Sequence, residues 1–140
     1  MALPTSGAGY QIGDGNLDEC ILSVQKTPTT VTSVSTLAAA DILKKILIAN
    51  VSSGGAITLP TVATLEAALT NAVKNNASFQ FHVSNVGTGA SDDVTITTNT
   101  GWTLAGNMVV ASNNAASDQS AGTFIAWKTG DSAWKLQRVS

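Results

Sequence analysis

Polar and apolar residues alternate along several short stretches of the chain after residue 18. In the stretch Ser78–Asn85 (SFQFHVSN), Phe79, Phe81 and Val83 fall on one side and the intervening polar residues on the other. A period of two is typical of a strand with one face in the core and one in water. Further strands are predicted at CILSVQ (20–25), ILIANVS (46–52), AITLP (56–60), VTITT (94–98), NMVVAS (107–112), GTFIAWK (122–128) and AWKLQRV (133–139).

Two stretches depart from this rhythm and predict short helices. In STLAAADILKK (35–45) the pair Ser35-Thr36 can cap a helix that places Leu37 and Asp41 on successive turns. In PTVATLEAALTNA (60–72) Thr61 is the expected cap. Apolar residues then recur at spacings of three, four and three, the stripe of an amphipathic helix, at Val62, Leu65, Leu69 and Ala72.

These elements predict a single mainly β unit of about eight strands and two short helices. The stretch SSGGA (52–56), between two predicted strands, indicates a tight hairpin. A partly closed antiparallel barrel or sandwich, with the helices plugging its ends, would bury every alternating face. Residues 19–140 are assigned to this β-rich, oligomerising domain, and residues 1–18 to an extended N-terminal arm.

Composition excludes some classes of partner. The chain has 140 residues, a length typical of one domain, and only 11% of them are charged, where soluble domains average about 25%. A net charge of −2 supplies no basic field for phosphates, so neither nucleic acid nor an anionic membrane is expected as a partner. Neutral polar residues, chiefly Thr, Ser and Asn, take the place of the missing charges.

The N-terminus MALPTSGAGYQ has neither the basic nor the apolar region of a signal peptide, and no window reaches the roughly 20 apolar residues of a membrane span. A soluble protein made in a cytoplasm is therefore expected. Cys20 is the only cysteine, which excludes an internal disulfide and favours a small packed residue.

Candidate catalytic and cofactor motifs fail on spacing. The glycines of GAGYQIGDGN (7–16) do not match the dinucleotide-binding fingerprint, and no strand can precede them. The oxygens from Asp14 to Asp18 resemble the start of a calcium loop, but Glu19 stands where that loop needs glycine. His82 is the only histidine, so no second histidine can help it to hold a metal, and it is predicted to be a surface residue. The pair Asp92-Asp93 is predicted to lie in a solvated loop. We therefore expect no enzyme activity, no cofactor and no metal.

The three tryptophans, Trp102, Trp127 and Trp134, leave two interpretations open. Tryptophans are usually buried in a core or a subunit interface, and this interpretation is favoured. The alternative is a flat platform on which sugar rings stack, as in a carbohydrate-binding module.

The first sixteen residues combine four glycines with large apolar side chains. Extended, this arm can reach roughly 50 Å, which exceeds the width of its own domain. Such a segment cannot offset its ordering entropy alone and orders when a partner covers Tyr10, Ile12 and Leu17. A partner-binding arm that includes these residues together with Asp14 and Asn16 is predicted.

Segments along nearly the whole chain resemble small β-rich virion proteins of tailed bacteriophages, the capsid decoration or cement proteins. The similarity lies in a loose, low-complexity pattern and not in catalytic motifs. The segments that carry it are YQIGDGN (10–16), LAAADILKKILIAN (37–50), AITLPTVATLEAAL (56–69), FQFHVSNVG (79–87), TGWTLAGNMVV (100–110) and GTFIAWKTGDSAWKL (122–136).

The resemblance implies a structural protein on the outer surface of a phage capsid, made in the host cytoplasm. It implies a homotrimer bound where subunits of the major capsid protein meet, with no enzyme activity and no cofactor. The alternative left open is a virion adhesin or fibre-tip domain that binds host polysaccharide through its tryptophans.

Overall fold

The chain passes back and forth between two β-sheets. The structure is a computed structural model that describes residues 24–70, 74–114 and 119–140. The larger sheet has, in spatial order, β1 (Thr29–Val31), β3 (Ile46–Ala49), β5 (Ser78–Asn85), β9 (Ala121–Gly130), β10 (Ala133–Arg138) and β7 (Trp102–Ala105). The smaller sheet has β2 (Ser35–Thr36), β4 (Gly55–Thr58), β6 (Val94–Thr97) and β8 (Val109–Val110). The two helices are α1 (Ala39–Leu43) and α2 (Val62–Ala68).

The first half of the fold repeats one path three times. Each pass lays one strand in the larger sheet and the next in the smaller, and α1 and α2 return the chain to the larger sheet. Successive passes run in the same direction, so β1, β3 and β5 pair in parallel, as do β2, β4 and β6. Parallel neighbours need such crossover connections. The later strands β8, β9 and β10 add antiparallel pairs, and β7 pairs in parallel with β10.

Both sheets and both helices contribute to one hydrophobic core cluster. Its largest fully buried side chains include Trp134, Phe81 and Phe124 from the larger sheet and Ile57 from the smaller. The rings of Phe81 and Phe124, on neighbouring strands, stack with centroids 5.4 Å apart. Burial of these side chains is the main stabilising contribution to the fold.

The predicted helices form, but one cap is wrong. Thr61 caps α2 as expected, since its Oγ1 accepts a hydrogen bond of 3.2 Å from the backbone of Thr64. The pair Ser35-Thr36 caps nothing, because it forms strand β2. The N-cap of α1 is Ala38, whose backbone N–H donates to the Asp41 carboxylate at 2.9 Å. The Asp41 carboxylate thus makes the bond that the N3 residue makes in a capping box, and no N-cap side chain makes the other bond.

The mainly β class with two short helices is confirmed. Of the two architectures predicted, a barrel is wrong and a sandwich agrees with the two sheets, although their pairing is not purely antiparallel. The strands form two separate sheets with mixed pairing, and there are ten strands in the described residues where about eight were predicted. The hairpin predicted at residues 52–56 is also wrong, because β3 and β4 lie in different sheets. The chain crosses from one sheet to the other at Gly54, which has a φ of 67°. A Cβ at this position would lie 2.4 Å from the carbonyl oxygen of Ser91, so the backbone is closely packed there.

Three predicted segments fall partly or wholly outside the described residues, and one of them is the end of the helix predicted at 60–72, with Ala72. The arm 1–18, with Tyr10, Ile12, Asp14, Asn16 and Leu17, lies outside them, as does most of the strand predicted at 20–25. Within that stretch, Val24 and Gln25 are described and are not in a strand. Strands β1, β2 and β7 were not predicted.

Candidate interaction face

The larger sheet has one face that the core does not cover. Its residues alternate with the buried ones, so they point away from the core cluster. We call this surface the outer face. Cross-strand neighbours place its side chains in rows: Ser78, Trp127, Lys135 and Thr103; Gln80, Ile125, Gln137 and Ala105; Ile46, His82 and Thr123; Thr30, Ile48, Ser84 and Ala121.

Two of the strands are apolar on both sides. In β3, Leu47 is buried in the core while Ile46 and Ile48 stand half-buried on the outer face. In β9, Ile125 and Trp127 stand on the outer face between buried neighbours. Strands buried on both faces read as nearly continuous apolar runs, whereas a solvated face reads as an alternation. The outer face therefore carries an apolar patch, formed by residues of β3 and β9, among the polar side chains of its other strands.

The polar part of the outer face is neutral or basic. Lys135 Nζ lies 5.5 Å from the centroid of the Trp127 ring. His82 is exposed, as predicted, and its Nδ1 lies 3.1 Å from Thr123 Oγ1. Among the rows of the outer face, all within described residues, no side chain is acidic. A partner surface that is apolar with some acidic character would complement this face.

A groove of about 820 Å³ opens at one end of the outer face, below the end of α1. Its apolar lining comes from Leu43, Ile46, Phe79 and Ile125, and its polar lining includes His82, Gln80 and Lys45. Lys45 ends α1 with a positive φ of 71°, and its carbonyl accepts a 2.7 Å hydrogen bond from the backbone of His82. The groove is thus fixed between a helix end and three strands.

The tryptophans divide between core and surface. Trp102 is 8% exposed and Trp134 is 1% exposed, and the indole N–H of Trp102 donates to the Pro60 carbonyl at 2.7 Å. Trp102 and Trp134 were predicted to lie in a core or a subunit interface, and the structure places both in the core. Trp127 alone of the three stands on the outer face, half-buried.

A charged cluster lies on the core side of the larger sheet. Lys128 Nζ lies 2.8 Å from the Glu66 carboxylate, which also accepts a 3.0 Å hydrogen bond from the indole of Trp134. The hydrogen bond from Lys128, followed by that from Trp134, lowers the pKa of Glu66. This carboxylate therefore stays ionised and ties α2 to β9 and β10.

A second polar network holds the loops at one end of the sheets. Buried Asn85 donates to the carbonyls of Asp92 and Val110, and its Oδ1 accepts from the backbone of Gly87. The Asp92 carboxylate accepts from two backbone N–H groups, those of Ser53 and Gly89. The pair Asp92-Asp93 lies in a loop, as predicted, but its carboxylates bind backbone rather than only solvent, since Asp93 accepts from the backbone of Ser112.

Nothing in the described part of the chain is arranged to hold a metal, since no three His, Cys, Asp or Glu side chains converge there. In the same residues, no helix has the length and apolar character needed to cross a membrane.

The predicted arm residues Tyr10, Ile12, Asp14, Asn16 and Leu17 lie outside the described residues, so the structure does not place them. The outer face was missed in the sequence, although the apolar runs ILIA in β3 and FIAW in β9 carry its signal. A scan against protein-family models, and searches among curated proteins and solved structures, found no match to this chain.

Proposed function

We propose that this chain is a structural protein of a tailed-bacteriophage virion, which decorates the outside of the capsid and stabilises the assembled lattice. It acts as a homotrimer and has no enzymatic activity. The resemblance of segments along nearly the whole chain to capsid decoration proteins supports this function. So does the scarcity of charge, because neutral Thr, Ser and Asn side chains pack across crowded subunits without repulsion.

The observation that carries the proposal is the outer face. A sheet face with Ile46, Ile48, Ile125 and Trp127 half-buried fits a protein partner better than a small substrate. Its neutral and basic neighbours would not repel a partner surface that carries acidic residues. The outer face thus supplies a broad contact, and the arm at residues 1–18 supplies a second one.

Stabilisation follows from selective binding. A protein that binds the assembled shell, and not its separate subunits, lowers the free energy of the assembled state by mass action. Three arms on one trimer bind at high effective concentration, so weak single contacts add to a firm attachment. In this proposal the contacts of the arm come from Tyr10, Ile12, Asp14, Asn16 and Leu17.

The test is cosedimentation with capsid shells stripped of the protein, beside unassembled major capsid protein as a control. The full chain should pellet with shells and leave the free subunits unbound. A chain that lacks residues 1–16 should remain a folded oligomer but fail to pellet. Unimpaired pelleting of this truncated chain would reject the role of the arm.

A pair of substitutions tests the outer face separately. Ile48→Asp places a charge on the outer face, away from the groove, and should reduce the fraction that pellets with shells. Val34→Asp is the matched control, because Val34 is 58% exposed and lies outside the larger sheet. If both variants pellet like the unaltered chain, the outer face is not a capsid contact.

The alternative function is a virion adhesin or fibre tip that binds host polysaccharide. One observation favours it: Trp127 stands on the outer face with Ser78 and Lys135 beside it. Titration with capsular or cell-wall polysaccharide while tryptophan fluorescence is recorded would distinguish the two. A saturable change that Trp127→Ala abolishes supports the adhesin, because Trp102 and Trp134 are buried in the core.

A further inference from the structure

Strand β5 extends beyond its neighbour β3 and leaves part of its edge unpaired. β3 pairs with β5 only from Ile46, which lies opposite His82, whereas β5 begins at Ser78. Just before Ile46, the backbone N–H of Lys45 donates to the last turn of α1 at 3.2 Å, so the chain there has already joined the helix. Among the described strands, none lies beside residues 78–81 of β5 on this side.

The hydrogen bonds of β5 show which backbone groups this free edge presents. The N–H of Asn85 donates to the Ser120 carbonyl at 2.7 Å, so the odd-numbered residues of β5 bond toward β9. Even-numbered residues of an antiparallel pair then direct their backbone groups to the opposite side, as His82 does. The N–H and C=O groups of Ser78 and Gln80 therefore point to the free edge. Both residues are exposed, and neither backbone has a partner on that side within the described residues.

The free edge lies in the groove of about 820 Å³ on the outer face, since Ser78 and Gln80 belong to the groove lining. Gln25 also lines the groove, and its side-chain Nε2 donates to the Lys44 carbonyl at 2.5 Å, beside the end of α1. Neighbouring strands lie about 4.8 Å apart, and four extended residues span about 13 Å. The groove can therefore take one short extended segment beside β5.

The side chains of the lining favour an occupant that is both apolar and acidic. Leu43 and Phe79 line the groove and pack against the core, whereas Lys45 is exposed and forms no ion pair with any described residue. The lining itself, all of it described, contains no acidic side chain. Successive side chains of a strand point to opposite sides. A segment in which apolar and acidic residues alternate would place the apolar ones against Leu43 and Phe79 and the acidic ones toward Lys45.

We propose that the groove binds an extended segment of a partner protein, in which apolar and acidic residues alternate, and adds it as a short strand beside residues 78–81 of β5. Backbone hydrogen bonds with Ser78 and Gln80 provide affinity, and contacts with Leu43 and Lys45 provide selectivity. The inference goes beyond the proposed function, because strand addition to this groove does not require that the partner be a capsid.

The first test uses synthetic peptides and leaves the protein unaltered. The probe is a fluorescently labelled pentapeptide, Val-Glu-Val-Glu-Val, and its binding to the full chain is measured by fluorescence anisotropy. Two derivatives carry N-methyl groups on alternate amides, so that each blocks the donors of one edge of the peptide. One derivative should bind like the parent and the other at least about tenfold more weakly, because only one edge bonds to β5. No binding of the parent, or equal affinities of the two derivatives, would overturn the proposal.

The second test concerns charge. The unaltered chain should bind the glutamate peptide about tenfold more tightly than its counterpart Val-Lys-Val-Lys-Val. Lys45→Glu should reverse this preference, and Lys45→Arg, which keeps the charge, should retain it. Far-UV circular dichroism checks the fold of both variants, and the peptide comparison in the unaltered chain decides without them.

Equal affinities of the unaltered chain for the two peptides, or the same preference in a folded Lys45→Glu, would contradict the proposal. A further contrary result is self-association of the unaltered chain that Lys45→Glu abolishes while neither peptide binds. A second copy of the chain would then be the occupant.

Discussion

Asn85 is a buried amide at a position where the alternation of β5 calls for an apolar side chain. It is 1% exposed and satisfies three backbone groups, the carbonyls of Asp92 and Val110 and the N–H of Gly87. Buried polar groups that lose their partners are costly, so a single amide holds the loop after β5 against β8.

Asn85→Ala should therefore lower the free energy of unfolding by about 3 kcal/mol, since it leaves three backbone groups without their partner. Ser84→Ala is the control, because Ser84 is the neighbouring residue on the outer face, and its effect should stay within about 0.5 kcal/mol. Urea denaturation followed by fluorescence measures both. If the two substitutions lowered the free energy of unfolding equally, the hydrogen bonds of Asn85 would not be a specific source of stability.

The ionisation of Glu66 makes the free energy of unfolding depend on pH, and the direction of its pKa shift gives the sign of this dependence. Its pKa in the folded state is lowered, first by the hydrogen bond from Lys128 and then by that from Trp134. In the unfolded chain a glutamate titrates near about 4.3. The stabilisation is therefore complete above that pH and is lost as the pH falls through the lower, folded-state pKa.

The free energy of unfolding of the unaltered chain should thus exceed that of Glu66→Gln at neutral pH, and the difference should shrink below about pH 4.3. Glutamine keeps an oxygen that can accept from Trp134, so the comparison isolates the charge that pairs with Lys128. A difference that stays constant between neutral pH and pH 3 would contradict this role of the ion pair.

At the residue scale, the sequence predicts burial well and polar partners poorly. The sides of β5 were predicted, with Phe81 and Val83 buried and His82 exposed, because alternation reports the facing of each side chain. Asn85 lies on the buried side by the same parity, yet its partners come from a loop and from β8. No local pattern encodes which distant backbone groups an amide will meet.

At the scale of elements, alternation reveals strands but not their neighbours. Both helices lie within the stretches predicted for them, although the cap predicted for α1 was wrong, and each helix serves as a crossover between sheets rather than as a plug. A crossover makes the next strand parallel to the last one in the same sheet. The pairing of β3 with β5 therefore depends on the path of the chain between them. The alternation of polar and apolar residues within a strand does not report that path.

Strand β7 was missed for a related reason. Gly101 and Gly106, which flank it, have φ values of 90° and 92°, in the left-handed region that glycine adopts in turns. Only four residues separate the turns, too few to show a period. Trp102 takes its place because its ring packs against Trp134, with centroids 6.2 Å apart, and this contact lies far away in sequence.

The turn between β9 and β10 supplies a prediction at this scale. Ser132 has a φ of 52°, in the left-handed region that favours glycine, whereas Asp131 does not. Ser132→Gly should raise the free energy of unfolding by about 0.5–1 kcal/mol, because it relieves the strained conformation. Asp131→Gly is the control and should lower it, since it only adds freedom to the unfolded chain. Thermal unfolding measures both, and the opposite order would contradict the assignment of strain.

At the scale of the whole molecule, the two faces of the larger sheet have different surroundings. One face of the larger sheet encloses the core, and the outer face carries the apolar residues of β3 and β9 to the surface. In our proposal a capsid contacts the outer face.

This arrangement would explain why the chain combines few charges with apolar runs on both sides of its strands. A free domain with this surface would tend to associate, whereas a lattice-bound protein hides it. The sequence contained both signals, the low charge and the runs ILIA and FIAW. It did not contain their position on one common face, because that position depends on the pairing of β5 with both β3 and β9.

The most direct test of the proposed function is the number of copies of this chain in purified virions of the phage that, in this proposal, encodes it, measured by quantitative mass spectrometry against the major capsid protein. A decoration protein that covers the shell should be present in a fixed ratio to the capsid subunits, on the scale of the lattice itself. A handful of copies per virion, or none, would contradict capsid decoration.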